Sequence, residues 1–250
     1  MTPAPKGKAA PMVLAKGAPR FSCDQSITLE PKFNEISQYR VRYYILEGPC
    51  VDIVLPKAAT DYRPELEITI IEHFSVRLLE RYAPALDITY PIEEVTDDKY
   101  SNIKAYLPIS SFKEEAIRDI LTWFQEIAST PGRCLPKLVI PARSSFLKLY
   151  YYYQAFEKLR MKRFSCQFEV ILKDYIDRHA LSEYELGQVL GGLPYWDRIN
   201  QHAIAATARV LTSKDTPISK KWDLVEFFEQ KHDTLLCAAT KAFRREALGK

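Results

Sequence analysis

The side chains of this chain that could do chemistry are spread along it without the spacing of a known active site. Carboxylates, imidazoles and thiols act as metal ligands, general acids or nucleophiles when they cluster. The four histidines are His73, His179, His202 and His232. The five cysteines are Cys23, Cys50, Cys134, Cys166 and Cys237. No histidine lies in an HExxH pattern and no cysteines have the CxxC spacing, so we expect reduced thiols, no metal and no cofactor.

The densest acidic stretch also lacks the pattern of a functional site. Residues 90–100 contain Glu93, Glu94, Asp97 and Asp98, but not the alternate ligands and central glycine of a calcium loop. The chain has no G-x-S-x-G, Walker or dinucleotide-binding motif. We therefore predict that it is not an enzyme. A hydrolase with carboxylates from distant segments is a weaker option, which a deep pocket with converging ionisable groups would favour.

Basic residues are concentrated at two places. Residues 1–20 hold four cations and no acid, and the formal charge of the whole chain is +3, so the remainder is nearly neutral. With little apolar surface, residues 1–20 are predicted to be a disordered tail, which either stays solvated or docks on something acidic. The second place is the basic cluster of Lys158, Arg160, Lys162 and Arg163. It fits a charged helix end, and a nuclear-import signal or phosphate contact is the alternative.

Strand patterns and helix patterns alternate through the first two thirds of the chain. Runs of β-branched and aromatic residues predict strands over 38–47, 51–55, 66–71 and 103–109. Apolar residues three to four apart predict helices over 74–82, from 111 to about 130, from 146 and over 164–178. Ser111 and Glu114 have capping-box spacing. Residues 131–145 contain three prolines and are predicted to be a loop.

Beyond His179 the pattern is wholly helical. Helices are predicted over 182–190, from Pro194, over 222–230 and over 235–248. No apolar run approaches the roughly 18 residues that span a bilayer, and the start lacks a secretory signal core. We therefore expect an intracellular protein, in the cytoplasm or the nucleus, with no membrane partner.

The run Tyr150–Tyr153 lies in the predicted helix from residue 146. One side of this helix carries Leu149, Tyr152, Tyr153, Phe156 and Leu159. The other side carries Lys148, Tyr151, Gln154 and Lys158. Packing accounts for three of the four tyrosines, whereas Tyr151 lies in the polar stripe. An exposed tyrosine beside a cation is common at interfaces, so Tyr151 is a candidate partner contact, and a single solvated tyrosine is the alternative.

The order of these motifs resembles the BTB/POZ domain, a protein–protein interaction module. In that family a strand that carries an Asp comes first, and a second strand then leads into a helix. Here VDIVL, with Asp52, resembles the first strand, and FSVRLLERYAP, with Phe74, resembles the second strand and its helix. A strand ending in Leu-Pro and a helix with L-x-W follow, as in YLPISSF and ILTWFQEIAST with Trp123. The family's next helix, L-Y-x-L-A-D-K-L-x-M, is similar to YQAFEKLRM. The likeness covers about residues 41–178, and the helical tail resembles that of BTB-like proteins from filamentous fungi.

The resemblance implies a division of the chain and a function. We expect a BTB/POZ-like α/β (α+β) domain over 38–178, a small sheet covered by helices, and a helical extension over 180–250. The family implies homo- or hetero-oligomers and adaptor use, including docking to ubiquitin-ligase scaffolds or transcription regulators. The alternative is a nucleic-acid-associated protein that uses the basic tail and the basic cluster.

The strand predicted over residues 38–47 is a further candidate for partner binding. If it lies at a sheet edge, its free N–H and C=O groups invite another strand. The candidate contacts are Arg40, Arg42, Tyr43 and Tyr44. The alternative is that this strand is central or covered by the C-terminal helices.

Overall fold

The computed structural model describes residues 26–31, 48–56, 67–82, 104–107, 112–130, 135–141 and 144–231. The strands are β1 (Ile27–Leu29), β2 (Cys50–Pro56), β3 (Glu67–Ser75), β4 (Lys104–Tyr106) and β5 (Leu138–Ile140). The helices are α1 (Val76–Tyr82), α2 (Glu114–Ser129), α3 (Phe146–Lys158), α4 (Lys162–Arg178), α5 (Glu183–Gly192), α6 (Arg198–Thr212) and α7 (Ile218–Lys231). The predicted mixture of small sheets and helices is confirmed for the described residues.

Strand β2 lies at the centre of a three-stranded sheet in the order β3–β2–β4. It pairs antiparallel with β3 and parallel with β4. Four residues of β2 are buried, namely Val51, Ile53, Val54 and Leu55. Because neighbouring residues of a strand point to opposite faces, the burial of three in a row is typical of a strand covered on both faces. The register shifts near Asp52, where the His73 N–H donates to Asp52 Oδ1 at 3.0 Å. His73 has a φ of 51°, so this bulge places a non-glycine residue in the left-handed region.

A second, two-stranded sheet joins β1 to β5. Leu29 pairs with Leu138, and Leu29 is fully buried. The prediction of a loop over 131–145 is therefore wrong for residues 138–140. The sequence did not indicate this strand, because three residues are too few to show an alternation of apolar and polar side chains. Its partner β1 also lies more than a hundred residues away along the chain. The Trp123 Nε1–H donates to the Pro136 carbonyl oxygen at 2.9 Å, which fixes the approach to β5 against α2.

Helix α2 begins differently from the prediction. Its N-cap is Lys113, which has no side-chain capping bond, so the predicted capping box of Ser111 with Glu114 is wrong. Glu114 instead accepts a hydrogen bond from Arg118 at 3.0 Å. The Arg118 guanidinium also donates to the Ile70 carbonyl oxygen at 2.5 Å and thereby joins α2 to β3. The helix ends at Ser129, ahead of the Pro-Gly pair, as predicted.

Other boundaries also differ from the predicted ones, three of them by four residues. Strand β3 continues to Ser75, so Phe74 belongs to a strand and not to the following helix. Helix α6 begins at Arg198 and not at Pro194, because the Asp197 side chain accepts the backbone N–H groups of residues 199 and 200. Helix α7 begins at Ile218, four residues earlier than predicted. The predictions for 1–20, 38–47, 90–100 and 235–248 lie outside the described residues.

Helix α3 lies at the centre of the packing. One continuous cluster of buried apolar side chains extends from Ile27 to Phe227, and it contains all three buried tyrosines of α3. The core thus continues across residues 178–180, and the division into two domains there stays a prediction. Among the described helices, none is long and apolar enough to cross a bilayer.

Candidate interaction cleft

The tyrosines of α3 fix this helix against its neighbours. Three hydroxyls donate to three elements: Tyr150 to the Val189 carbonyl oxygen at 2.9 Å, Tyr152 to the Asp119 carboxylate, and Tyr153 to Asp197 Oδ2 at 2.8 Å. These three tyrosines are buried, as predicted. Burial, and for Tyr152 and Tyr153 the adjacent carboxylate, raises the pKa of each phenol far above its usual value. The phenols therefore remain protonated donors at neutral pH.

Two residues assigned to the polar stripe of α3 lie closer to the core than predicted. Gln154 is buried, and its Nε2 donates to the Gly192 carbonyl oxygen at 2.6 Å. Tyr151 is half-buried, and its hydroxyl donates to Gln188 Oε1 at 3.2 Å. The ring of Tyr151 lies 5.1 Å from the Lys113 ammonium. The structure thus gives Tyr151 contacts within the chain, and its role in partner binding stays a prediction.

The turn between α3 and α4 has the hydrogen bonds of a Schellman motif. The Arg160 N–H donates to the Glu157 carbonyl oxygen, and the Met161 N–H donates to the Phe156 carbonyl oxygen. Arg160 has a φ of 57°, the left-handed conformation that this position usually assigns to glycine. An arginine here costs about 1–2 kcal/mol relative to an unstrained residue, and its side chain is exposed.

The basic cluster divides into two engaged cations and two exposed ones. The half-buried Lys158 lies 5.5 Å above the Phe112 ring, and burial lowers the pKa of its ammonium to about 8. Arg163 donates from Nη2 to the Glu30 carbonyl oxygen at 3.0 Å, which ties α4 to the end of β1. Arg160 and Lys162 are exposed. The cluster is therefore partly structural, and its positive charge is presented to solvent mainly by these two residues.

The turn between α5 and α6, residues 193–197, is held rigidly by polar groups. Asn200 is fully buried, and its Nδ2 donates to the carbonyl oxygens of Leu193 at 2.8 Å and Pro194 at 3.1 Å. The Asp197 N–H donates to the same Pro194 oxygen at 2.9 Å. Asp197 also caps α6 and accepts the Tyr153 hydroxyl, so hydrogen bonds tie the turn to both α3 and α6.

This turn presents two aromatic side chains to solvent. Tyr195 is 55% exposed and Trp196 is 69% exposed. Their rings meet edge to face, with centroids 5.1 Å apart. Large exposed aromatic side chains on a rigid turn are typical of an interface, because they offer contact area at a low entropy cost.

The two turns face each other across an open cleft of about 590 Å³. Its cations are Lys158, Arg160, Lys162 and Arg198, and its carboxylates are Glu157, Glu169 and Asp197. Trp196, Cys166 and Pro194 also line it. The cleft thus brings three of the four residues of the basic cluster beside an exposed tryptophan.

The three carboxylates of the cleft have partners within the chain. Glu157 accepts the Ser165 hydroxyl, and Asp197 accepts the Tyr153 hydroxyl. Glu169 pairs with Lys173 at 2.6 Å and with Arg198 at 3.4 Å. Burial raises the pKa of Glu169, but the hydrogen bond and charge of Lys173, together with Arg198, outweigh it and hold the pKa below its usual range.

Ionisable groups converge in the cleft, but the cleft is open, whereas a hydrolase built from distant carboxylates is expected to have a deep pocket. Acid catalysis at neutral pH needs a carboxyl group with a raised pKa, whereas the pKa of Glu169 is lowered. Glu157 and Asp197 are fixed by hydrogen bonds to Ser165 and Tyr153. Glu169 thus lacks the pKa shift that a general acid needs, and the prediction that the chain is not an enzyme stays a prediction.

Sequence reasoning identified the basic cluster but missed Trp196 and Arg198. The reason is the boundary of α6, because a helix starting at Pro194 would have placed Trp196 on a helix face. The signal was the Asp197 that follows Pro194-Tyr195-Trp196, since Asp is a preferred N-cap residue. Arg40, Arg42, Tyr43 and Tyr44, the predicted edge-strand contacts, lie outside the described residues.

The described residues contain no group of three or more His, Cys, Asp or Glu side chains that could hold a metal ion. No family model, no curated protein and no solved structure matches the chain.

Proposed function

We propose that this chain is a protein–protein interaction module, a BTB/POZ-like adaptor or oligomerisation domain with a helical extension. The observation that carries the proposal is the rigid turn that presents Tyr195 and Trp196 to solvent beside the exposed cations Arg160 and Lys162. Tryptophan, tyrosine and arginine are the residues most enriched among those that dominate binding energy at protein interfaces.

The order of elements gives separate support for the BTB/POZ-like part of the proposal. The Asp-bearing strand β2 is followed by β3, which leads directly into α1. The later family motifs correspond, in the same order, to β4, to helix α2 with Trp123, and to helix α3 with its four tyrosines. Strand β5 intervenes between α2 and α3 and has no counterpart among these family motifs.

The alternative, a nucleic-acid-associated protein, receives less support from the basic cluster. Non-specific binding needs many phosphate contacts. Two of the cluster's four cations, Lys158 and Arg163, are engaged within the chain, and three carboxylates line the same cleft.

The test combines light scattering on the pure protein with quantitative capture of its partners from cells that express it. The proposal expects either a mass that rises above the monomer with concentration or a protein captured in near-stoichiometric amount. A strictly monomeric protein that captures no protein, and that is retained on DNA or RNA in a salt-dependent manner, would overturn it. Loss of that retention on deleting residues 1–20 would assign the nucleic-acid contact to the tail.

A further inference from the structure

The charges that line the cleft between the α3–α4 turn and the α5–α6 turn favour a ligand that carries carboxylates. Its carboxylates are paired within the chain, whereas Arg160 and Lys162 are exposed at its edge. An incoming carboxylate would therefore meet two cations that it could pair with at little desolvation cost.

Arg160 supplies a second indication. It occupies the left-handed position of a Schellman motif, where glycine would remove the strain of the backbone. Backbone strain at an exposed, charged side chain that lines a cleft is an observation from which a functional role can be inferred. We therefore expect the charged side chain of Arg160 to have a role in the cleft that offsets the cost of the strained backbone.

Trp196 supplies the apolar part of the cleft. Its ring is 69% exposed on a turn whose backbone is fixed by Asn200 and Asp197. Because the turn is already ordered, a partner side chain that covers this ring loses little free energy to reorganisation of the protein.

We propose that this cleft binds an acidic segment of a protein partner, with carboxylates on Arg160 and Lys162 and an apolar side chain on Trp196. This inference rests on the proposed function and specifies the partner that the interaction module takes at this surface.

An acidic polypeptide fits the cleft better than a nucleic-acid strand. A phosphate backbone carries a charge at every residue and would pass close to Glu157, Glu169 and Asp197, which line the same cleft. A polypeptide can place its carboxylates at Arg160 and Lys162 and uncharged residues elsewhere. Single-stranded nucleic acid, which also stacks on exposed tryptophans, is therefore an outcome of the test.

The test follows the three tryptophan indole N–H signals of the full chain by ¹⁵N NMR. The signal of Trp196 is assigned with a Trp196→Phe variant, and that of the buried Trp123 is an internal reference. The probes are short extended peptides with several Glu or Asp residues around one Phe or Leu, the same peptides with Gln and Asn in place of the acids, and single-stranded oligonucleotides. We expect the acidic peptides to shift the Trp196 signal, and the neutral peptides and oligonucleotides to leave it unchanged.

Variants assign the contacts. Titrations followed by the fluorescence anisotropy of a labelled acidic peptide do not need the Trp196 signal. In them, Arg160→Gly and Lys162→Gln should each weaken peptide binding about two- to fivefold, the range for exposed ion pairs, and Trp196→Ser about tenfold or more. The matched control is Lys214→Gln, which removes an exposed cation that does not line the cleft and should leave binding unchanged. Circular dichroism checks the fold of each variant, and Arg160→Gly relieves backbone strain, so that its loss of binding does not arise from unfolding.

Four results would overturn the inference. Three of them are an unshifted Trp196 signal with every acidic peptide, equal effects of Lys214→Gln and Arg160→Gly, and tighter binding of oligonucleotides than of peptides. A shift of the Trp196 signal with protein concentration alone would assign the cleft to a second copy of the chain and would also overturn it. If the peptides fail while a captured partner is found, the inference is wrong and the proposed function stands.

Discussion

At the scale of single residues, the basic cluster shows how equal charges acquire different roles. Arg163 donates to the carbonyl oxygen of Glu30, the residue that follows β1, and Lys158 lies half-buried against Phe112. Arg160 and Lys162 are exposed on the turn and at the start of α4. The four cations are evident in the sequence, but which of them contact the rest of the chain and which are exposed is not. The partners of Arg163 and Lys158 are more than forty residues away along the chain.

The strain at Arg160 can be measured as a stability. Arg160→Gly should raise the free energy of unfolding by about 1 kcal/mol, because glycine adopts the left-handed conformation without the steric cost. Chemical denaturation at neutral pH measures this difference. Arg160→Ala, which keeps the strain and removes the charge, is the control and should not stabilise the protein. A loss of stability in Arg160→Gly would show that the arginine side chain contributes more than the strain costs.

The lowered pKa of Lys158 predicts a dependence of stability on pH. Burial holds this pKa at about 8, against the usual 10.5 of a lysine ammonium, so between these pH values the unfolded chain binds more protons than the folded one. The free energy of unfolding contributed by Lys158 therefore rises as the pH increases through this window. Lys158→Met, which lacks the titration, should be more stable than the natural protein at pH 7, by less than about 1 kcal/mol because solvent screens a half-buried charge.

The advantage of Lys158→Met should shrink as the pH approaches 10. Urea denaturation of both proteins from pH 7 to pH 10 gives the difference, in which contributions shared by both proteins cancel. A difference that stays constant over this range would show that the pKa of Lys158 is not lowered by burial.

At the scale of secondary-structure elements, α3 determines how the two turns of the cleft face each other. Tyr150 and Gln154 contact α5, Tyr152 contacts α2, and Tyr153 contacts the N-cap of α6. The helical period predicted which tyrosines are buried, because one face of α3 is apolar. It did not predict the burial of Gln154, which depends on a carbonyl group of α5 that only the tertiary structure places nearby.

The close contact of α3 with α5 predicts opposite effects at two adjacent glycines. A Cβ at Gly192 would lie 2.5 Å from the Tyr150 hydroxyl and 2.6 Å from Gln154 Nε2. Gly192→Ala should therefore lower the free energy of unfolding by about 1–3 kcal/mol, as overpacking does. Gly191 has nothing within 4 Å of its Cβ position, so Gly191→Ala should stabilise the helix by up to about 1 kcal/mol. Thermal melts of both variants check this, and equal melting temperatures would contradict the packing.

At the scale of the whole molecule, the fold is closed by contacts that are distant in sequence. The sequence indicated a mixed α+β chain, the strands β2 to β4 and the helices α1 to α7, with shifted boundaries for several of them, because these elements have periodic patterns. It did not indicate β1 or β5, each of three residues, which have no local signal and form only because they pair with each other. It missed the exposed Trp196 because the cap at Asp197 shortens α6.

The pairing of β1 with β5 predicts that a residue near the start of the chain supports the whole core. Leu29 is fully buried in β1, so Leu29→Ala should lower the free energy of unfolding by about 2–5 kcal/mol. Thr28 is exposed between the two buried residues of the same strand, and Thr28→Ala should cost less than about 1 kcal/mol. Denaturation of the two variants measures the contrast, and similar small losses would show that β1 is not part of the cooperative core.

The most direct test of the proposed interaction surface is site-specific photo-cross-linking in cells that express the protein. A photoreactive aromatic amino acid, which keeps a large apolar ring at this position, replaces Trp196. In a matched control it replaces Ile218, which is 72% exposed but does not line the cleft. We predict a discrete adduct with a protein from position 196, weakened by Arg160→Gly, and no such adduct from position 218. An adduct of equal yield from both positions, or none from position 196, would contradict the account.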